Sequence, residues 1–326
     1  MQLCRRTDHV ETWSPPYVFA HTLALIPMTV TTRICSTPAD LARSLEIYNE
    51  VWPRRAATSE DVKAWDLASI ATNDFLGVVD GEEAGSAATG IATSRPDLCV
   101  AFITVLPHMR RRGVGGTLLD TASTWARDHD VLELETAVES DDAESLGFAL
   151  GRGFHETSRE TGLELELAEM ESPAVDPPAG IEIVLLADHP ELAAGAYEVG
   201  SEAIPDVPGT EDWTPPPFEQ FAAAHLRGLA IFVAVAGDEV VGYAKLHGKP
   251  DDRTADHGMT ALKRAWRGRG IAKALKRAQI GWAKENGIEH LEATNEERNA
   301  AMQHINSSLG YREVPGRVWL RRTVGD

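Results

Sequence analysis

The sequence contains one short pattern twice, first as Arg110-Arg111-Arg112-Gly113-Val114-Gly115 and again, 157 residues later, as Arg267-Gly268-Arg269-Gly270-Ile271-Ala272. The residues around the pattern repeat at the same spacing: Gly85 and Gly242, Trp125 and Trp282, Leu134 and Leu291, Glu135 and Glu292, Gly153 and Gly310. A motif that is duplicated together with its flanks indicates two copies of one domain.

The bulk composition fits two globular domains and disfavours several classes of protein. A length of 326 residues corresponds to two domains of ordinary size, and 43% hydrophobic residues suffice for two cores. The net charge of -19 disfavours general binding to nucleic acid or to anionic membranes, because both need a basic face. Three cysteines build no disulfide framework, and no apolar run is long enough to span a bilayer. We therefore expect a cytoplasmic protein that binds no nucleic acid, membrane or metal.

A proline-rich segment separates the two copies. Residues 169–178 contain three prolines without hydrophobic periodicity, which is typical of a linker. We therefore predict an N-terminal domain at residues 29–168 and a C-terminal domain at residues 179–326. Residues 1–28 differ in composition from both copies, and we predict that translation of the native protein starts at Met28.

Each copy carries the same order of predicted elements. A strand and a helix come first, followed by a β-hairpin and a strand that ends at the Arg/Gly loop. A helix, another strand, another helix and a final hairpin complete each copy. The first hairpins turn at Gly81 and Gly237, where glycine adopts a positive φ at no steric cost. The predicted fold class is therefore a mixed α/β (α+β) sheet in each of two tandem domains.

The order of strand, Arg/Gly loop and helix suits a bound phosphate. A helix N-terminus presents unpaired N–H groups and the positive end of its dipole, and glycines let the backbone close around an anion. The second copy has seven basic residues and no acidic one between Lys263 and Arg277, a local reversal of sign in an acidic chain. The alternative interpretation is a solvated basic face of a helix.

The loop has neither the Walker A nor the dinucleotide-binding pattern. It resembles the pyrophosphate loop of the GNAT (GCN5-related N-acetyltransferase) superfamily, V-x-P-x-x-[RQ]-x-x-G-x-[GA]. The first copy matches over Val105–Gly115 and the second over Leu262–Ala272, where Arg264 replaces the proline. Gly153-Phe154 and Gly310-Tyr311 resemble the Gly-Phe ending of the family's last helix. The resemblance implies two tandem GNAT acyl-CoA N-acyltransferase domains, a layout common in actinobacterial acetyltransferases.

The resemblance also implies acetyl-CoA as the co-substrate, held between two splayed parallel strands in front of the loop. The loop residues that would contact its pyrophosphate are Arg110, Arg111, Arg112, Gly113, Val114 and Gly115, and Arg267, Gly268, Arg269, Gly270, Ile271 and Ala272. Backbone N–H groups near Val105 or Leu262 would hold the acetyl carbonyl and the oxyanion that forms on attack.

The two copies differ at the family's last helix, which has the pattern N-x-x-A-x-x-x-Y-x-x-x-G-F. The resemblance gives the Asn a role in holding acetyl-CoA and the Tyr the role of the acid that protonates the leaving thiolate. The second copy has Asn299 and Asn306 at these positions, whereas the first has Asp142 and Ala149. Asn306 can donate a hydrogen bond to a departing thiolate but cannot protonate it. We therefore predict that the C-terminal domain is catalytic and that the N-terminal domain binds CoA structurally or is degenerate.

Three residues are candidates for the general base that takes a proton from the attacking amine. Asp256 stands where histone-type members carry a strand glutamate, and His257 has the ordinary pKa best suited to the task. Glu292, on the neighbouring strand, would act through water. Each has a structural alternative, because Asp256 and His257 could form an exposed turn and Glu292 could be a solvent-facing strand residue like Glu135.

The leading hypothesis is an acetyl-CoA-dependent N-acetyltransferase that acts on a primary amine of a small molecule or peptide, as a monomer or homodimer. One alternative is a mycothiol-synthase-like acetyltransferase, which shares the tandem layout but is disfavoured by Asn306 at the tyrosine position. A second alternative is a non-catalytic acyl-CoA sensor, because neither copy has the tyrosine. A nucleic-acid-binding protein would use the basic segment, but the overall acidity opposes it.

Overall fold

The computed structural model describes residues 29–207, 210, 213–248 and 253–324. The N-terminal extension at residues 1–28, and with it the translation start predicted at Met28, lies outside the described residues. In the described part, 13 strands form one mixed sheet, and α-helices pack on both of its faces. No helix in these ranges is sufficiently long and apolar to cross a membrane.

The N-terminal copy begins at the first strand and ends within a long sixth strand. Its strands are β1 (Val30–Ile34), β2 (Ser69–Val79), β3 (Glu82–Ala92), β4 (Leu98–Val105), β5 (Glu133–Glu139) and β6 (His155–Glu166). Its α-helices are α1 (Pro38–Val51), α2 (Ser59–Ala68), α3 (Val114–Asp128) and α4 (Ala143–Leu150). Short 3-10 helices occupy Pro53–Arg55 and Pro107–Met109.

The C-terminal copy repeats this order. Its strands are β7 (Glu182–Leu185), β8 (Ala230–Ala236), β9 (Glu239–His247), β10 (Thr254–Leu262), β11 (His290–Glu296), β12 (Arg312–Val314) and β13 (Arg317–Thr323). Its α-helices are α5 (Ala193–Ala203), α6 (Phe218–His225), α7 (Ile271–Glu285) and α8 (Ala300–Ser308). Short 3-10 helices occupy Pro190–Leu192, Ile204–Asp206 and Arg264–Trp266.

Local sequence signals explain how the helices begin. Helix α1 starts with a capping box, in which the Thr37 hydroxyl accepts from the Asp40 N–H and the Asp40 carboxylate accepts from the Thr37 N–H. Helices α3 and α7 start after Gly113 and Gly270, and neither has a side-chain cap. No capping side chain therefore occupies the first N–H groups of the two helices that follow the Arg/Gly loops.

The last strand of each copy crosses into the sheet of the other copy. The strand order is β1-β2-β3-β4-β5-β13-β6-β11-β10-β9-β8-β7, with β12 on β6. Strand β13, from the C-terminal copy, lies between β5 and β6, and the second half of β6 pairs with β11 of the C-terminal copy. Leu320 is fully buried in the N-terminal core, and Leu163 is buried in the C-terminal core. The prediction that a final hairpin completes each copy is therefore wrong.

Two glycines let the exchanged strands cross closely. A Cβ atom on Gly162 would lie 2.5 Å from the carbonyl oxygen of Pro315, and one on Gly316 would collide with the carbonyl oxygen of Glu160. Pro315 has no N–H group and lies between β12 and β13, where the C-terminal chain changes partners. The crossing therefore requires glycine at both positions, because a side chain at either one would push the two chain segments apart.

Candidate active site

The two Arg/Gly loops share one backbone conformation. Arg111 and Gly268 have φ values of 64° and 72°, and Gly113 and Gly270, the N-caps of α3 and α7, have φ values of 90° and 87°. In both loops the first arginine bonds back to its strand, because Arg110 Nε donates to the carbonyl oxygen of Val105 and Arg267 Nε to that of Leu262. Successive N–H groups in such a conformation form a concave anion site at the start of a helix.

A parallel strand pair ends in front of each loop. The β4–β5 ladder pairs Leu98–Val100 with Glu133–Glu135, and the β10–β11 ladder pairs Thr254–Asp256 with His290–Glu292. Each ladder spans three residue pairs, although β4 and β10 both continue to the start of their loop. Each copy therefore has the pair of parallel strands that the sequence predicts in front of its loop.

The N-terminal copy has a cavity of about 640 Å³ that begins at its loop. Arg110, Gly113 and Gly115 border one part of it, and Trp52 and Glu139 border another. The four consecutive residues from Thr136 to Glu139 all line the cavity, and alternate residues of a strand point to opposite faces. The cavity therefore passes between β4 and β5 and meets both faces of the sheet.

The arginines of the N-terminal loop have weak partners. Arg110 Nη1 lies 3.9 Å from Asp142 Oδ2 and 3.6 Å from Glu144 Oε2, and Arg111 Nη1 lies 3.5 Å from Glu144 Oε1. The Arg111 side chain is 85% exposed, and Arg112 is exposed as well. These guanidinium groups can therefore turn toward an anion in the loop at little energetic cost.

The C-terminal loop is held by acidic side chains. Asp206 accepts two hydrogen bonds of 2.7 Å from Arg264 and lies 2.7 Å from Arg267 Nη1. Hydrogen bonds from Arg264 and Arg267 lower the pKa of Asp206 to about 2. Arg269 lies over the ring of Trp266, with 4.7 Å between its guanidinium carbon and the ring centroid. The basic segment of this copy thus already has internal partners for its charge.

The two residues that distinguish the last helices have different surroundings. Asn299 is the N-cap of α8 and accepts from the Met302 N–H at 3.3 Å, as Asp142 caps α4 by accepting from the Ser145 N–H. Asn306 is 1% exposed, and its Nδ2 donates to Asn295 Oδ1 at 3.1 Å. Asn306 thus fastens α8 to β11 in the position where Ala149 lines the N-terminal cavity.

Asp256 and Glu292 are register partners on β10 and β11. Together with Arg54 and Arg55 of the N-terminal copy they line a small interdomain cavity of about 20 Å³. Burial, reinforced by the charge of Glu292, raises the pKa of Asp256 to about 7. A carboxyl with such a pKa exchanges protons near neutral pH, which suits a general base.

His257 points to the other face of the sheet, into the core. Its Nδ1 lies 3.0 Å from Gln279 Oε1 on α7, and its Nε2 is hydrogen bonded to the Tyr311 hydroxyl. Burial, reinforced by the nearby charge of Lys276, lowers the pKa of His257 well below its ordinary value. The structure therefore separates His257 from Asp256 and Glu292.

Sequence reasoning missed Trp52 and Glu139, which line the cavity. Glu139 ends β5, and its counterpart in the repeat is Glu296. The repeat could have drawn attention to Glu139 and Glu296, but it carries no information about the different partners of the two carboxylates, which are Arg55 for Glu139 and Arg298 for Glu296.

Known proteins resemble both copies. The model of the acetyltransferase (GNAT) family matches residues 42–154 and 197–311. A GCN5-related N-acetyltransferase from Sphaerobacter thermophilus has a similar structure, with a TM-score of 0.72 and 20% identity over 91% of this chain and 96% of that one. A tandem GNAT protein from the clavulanic acid biosynthesis pathway is similar with a TM-score of 0.70 and 23% identity, over 91% of this chain and 99% of that one. None of the curated proteins matches this chain significantly.

Proposed function

Because this chain belongs to the acetyltransferase (GNAT) family, we propose that it is an acetyl-CoA-dependent N-acetyltransferase that acts on a primary amine of a small molecule or peptide. The observation that carries the proposal is the cavity of about 640 Å³ that joins the Arg110–Gly115 loop to Trp52 and Glu139. Cofactor and ligand sites typically have volumes in this range. A cytoplasmic location, and a monomer or homodimer as the active species, are part of the same proposal.

The residues of the N-terminal cleft fit acetyl-CoA. Backbone N–H groups at the start of α3 and the side chains of Arg110 and Arg111 would hold the pyrophosphate. A Cβ atom on Gly115 would lie 3.2 Å from the ring of Phe148, so glycine keeps the passage beside that ring open. Val105 and Phe148 also line the cavity and give it an apolar wall for the pantetheine arm.

Bound acetyl-CoA supplies an activated acetyl group, and the protein supplies its orientation. Backbone N–H groups near Val105 would polarise the acetyl carbonyl, and the amine would attack directly, without an acyl-enzyme. Ala149 occupies the position of the family's tyrosine and cannot protonate the thiolate. A thiol pKa of about 8.5 makes the thiolate a tolerable leaving group without that acid.

The cavity favours the N-terminal domain as the site that binds acetyl-CoA. The hypothesis that the C-terminal domain is catalytic stays a prediction, which depends on Asn299 and Asn306. Asn299 caps a helix, and Asn306 is bonded to Asn295 in the interior. Asp256, His257 and Glu292 stay predicted base candidates of that domain, and burial brings the pKa of Asp256 close to neutral, to about 7.

A non-catalytic acyl-CoA sensor is the second candidate function. The observation in its favour is Ala149, because a cavity that lacks the tyrosine can bind acyl-CoA without releasing the thiolate efficiently. Both functions use the same loop and cavity, so binding alone does not distinguish them.

Calorimetric titration with acetyl-CoA, combined with CoA release over a panel of primary amines, tests the proposal. We expect one acetyl-CoA per chain and release of CoA with at least one class of amine. Binding without turnover on any amine would establish the sensor instead. A chain that binds no acetyl-CoA would overturn both functions.

A further inference from the structure

The cavity of the N-terminal copy is lined by a third arginine besides the two of its loop. Arg152 follows α4, is exposed, and lines the cavity together with Phe148 and Gly116. Its guanidinium carbon lies 3.8 Å from the centroid of the Phe148 ring. A Cβ atom on Gly116, in the first turn of α3, would lie 3.1 Å from Arg152 Nη2. Arg152 therefore places a positive charge directly beside the start of the helix that follows the Arg/Gly loop.

The charge of Arg152 is free to meet a ligand. Arg110 and Arg111 lie near the carboxylate of Glu144, whereas Arg152 forms no ion pair with any residue that the structure describes. Guanidinium groups bind phosphate through charge-assisted hydrogen bonds, often two at a time. An exposed arginine that borders a cavity and has no carboxylate partner is therefore available to an anionic group of the ligand.

The exchanged strand β13 fixes the turn that carries Arg152. Arg322 Nη1 donates to the carbonyl oxygen of Arg152 at 3.1 Å, and Arg322 Nη2 donates to Ser123 Oγ at 2.6 Å. The Arg322 guanidinium carbon also lies 5.1 Å from the ring centroid of Phe154, which lines the cavity. Arg322 thus holds the backbone of the turn, while the side chain of Arg152 is left for the ligand.

The C-terminal copy carries a cation at the same place but supplies it from another element. Lys273 matches Gly116, and Leu309 matches Arg152, at the spacing of 157 residues. Lys273 lies in the first turn of α7, whereas Leu309 is buried in the core. Each copy therefore has one cation at the first turn of the helix after its loop. A charge that is present in both copies although its element differs indicates a role in binding rather than in packing.

Acetyl-CoA has an anionic group that the loop does not account for. The N–H groups at the start of α3, with Arg110 and Arg111, would hold its pyrophosphate. The 3′-phosphate is attached to the ribose and is separate from the pyrophosphate, so its recognition requires a cation outside the loop. Arg152 meets this requirement, because it lies next to the loop, lines the cavity and has no carboxylate partner in the described ranges.

We propose that Arg152 binds the 3′-phosphate of acetyl-CoA and makes the N-terminal cleft select acetyl-CoA over thioester donors that lack this group. The donors that it disfavours are thioesters of 3′-dephospho-CoA and of pantetheine or phosphopantetheine. This inference rests on the proposed acetyltransferase function and deepens it, because it assigns the residue that distinguishes between donors. The exchanged strand contributes to this selection, since Arg322 holds the carbonyl oxygen of Arg152.

Calorimetric titration of the whole chain with CoA and with 3′-dephospho-CoA tests the proposal. We expect the wild type to bind CoA about 10-fold or more tightly than 3′-dephospho-CoA, because one charge-assisted contact is lost. Arg152→Met should remove this difference by weakening the binding of CoA alone, and Arg152→Lys should restore part of it. Arg127→Met is the matched control, since Arg127 is an exposed arginine of the same copy outside the cavity lining. This control should match the wild type.

Salt dependence gives a second readout, which a purely structural role of Arg152 would not change. The preference of the wild type for CoA should decrease as the salt concentration rises, because the attraction between an exposed guanidinium and a phosphate is screened. In Arg152→Met, the ratio of the two affinities should stay constant over the same range of salt concentrations.

Three results would overturn the inference while the proposed function stands. The first is that the wild type binds CoA and 3′-dephospho-CoA equally well. The second is that Arg152→Met keeps the wild-type preference for CoA. The third is that folded Arg152→Met, verified by thermal unfolding, binds both probes more weakly to the same extent, so that Arg152 contacts a part that they share. A wild type that binds neither probe would instead defeat the proposed function.

Discussion

The two copies of the repeat share a loop but differ in what borders it. Both loops place residues with positive φ at the same two positions, and both tie their first arginine to the preceding strand. In the N-terminal copy, Val138 and Ala149 line a cavity, whereas the matching Asn295 and Asn306 are buried and bonded to each other. Glycines therefore set the backbone of the loop, but side chains on the neighbouring strand and helix determine what can bind beside it.

The copies also depend on each other, because each supplies a strand to the other's sheet. Leu320 belongs to the C-terminal copy but is buried in the N-terminal core, and Leu163 shows the reverse arrangement. A substitution in an exchanged strand should therefore destabilise the core of the other copy first. The predictions below use pairs of matched positions to test this comparison.

The largest effect is expected from Leu320→Ala. We expect a loss of about 2–5 kcal/mol in the free energy of unfolding, because the substitution leaves a void in a fully buried site. Hydrogen exchange should accelerate first in β4, β5 and α3 of the N-terminal copy. Leu163→Ala should instead accelerate exchange in β10 and β11. Faster exchange confined to the copy that contains the substitution in sequence would contradict the exchanged strands.

Gly113→Asp and Gly270→Asp compare the two loops as binding sites. Each adds a side chain at a φ near 90° and a negative charge at a helix N-terminus where a phosphate would lie. We expect Gly113→Asp to weaken acetyl-CoA binding by about 100-fold. Gly270→Asp should leave that affinity close to the wild-type value, as measured by calorimetry. The reverse order would support the C-terminal domain as the active one.

Asp256→Asn compares a charged position with its apolar counterpart, since Val100 pairs with Glu135 as Asp256 pairs with Glu292. The pKa of Asp256 is raised to about 7 in the fold by burial, so the native state binds its proton more tightly than the unfolded chain. Stability of the wild type should therefore fall as the pH rises from about 4 to 7. We expect the variant to be more stable by up to about 2 kcal/mol at pH 8, because it has no carboxylate that must stay charged in a buried site.

Urea unfolding at several pH values measures this difference between Asp256→Asn and the wild type. The advantage of the variant should shrink as the pH is lowered from 7 toward 4, because the carboxyl of the folded wild type becomes protonated over this range. An advantage that does not change with pH would exclude the raised pKa as its cause. A parallel pH–rate profile tests the predicted role of Asp256 as a base, because the variant should lose any rise that depends on that carboxylate.

The smallest effect is expected where the loops differ in sequence but not in backbone. Arg111 adopts a φ of 64°, which costs energy for a residue with a Cβ, whereas Gly268 adopts 72° without that cost. Arg111→Gly should stabilise the protein by about 0.5 kcal/mol, after the entropy that glycine gains in the unfolded chain is taken into account. Gly268→Arg should lower the free energy of unfolding by a similar amount, measured by thermal unfolding. The positive φ is the cause of this loss, because a Cβ atom at Gly268 meets no neighbour within 4 Å and therefore adds no clash. Equal stability of all three proteins would show that the strain is negligible.

Several elements could be predicted from local sequence. The predicted order of a strand and then a helix at the start of the N-terminal copy is confirmed by β1 (Val30–Ile34) and α1 (Pro38–Val51), because caps and alternation act over a few residues. The glycines of the first hairpin turns, Gly81 and Gly237, have the positive φ that was predicted for them. Arg111 shows the limit of this reasoning, since nothing in its side chain indicates a left-handed backbone. Its conformation follows from the path between the strand and the helix.

The sequence by itself determined that the chain has two copies of one domain, because the spacing of 157 residues is a property of the chain alone. Only the tertiary structure decided which strands complete each sheet, since β6 and β13 alternate in the same way whichever partner they take. It likewise decided that Glu139 keeps a free oxygen while Glu296 is bonded to Arg298. Burial and hydrogen bonding depend on neighbours that are distant in sequence, so identical residues at matching positions of a repeat can differ in their chemistry.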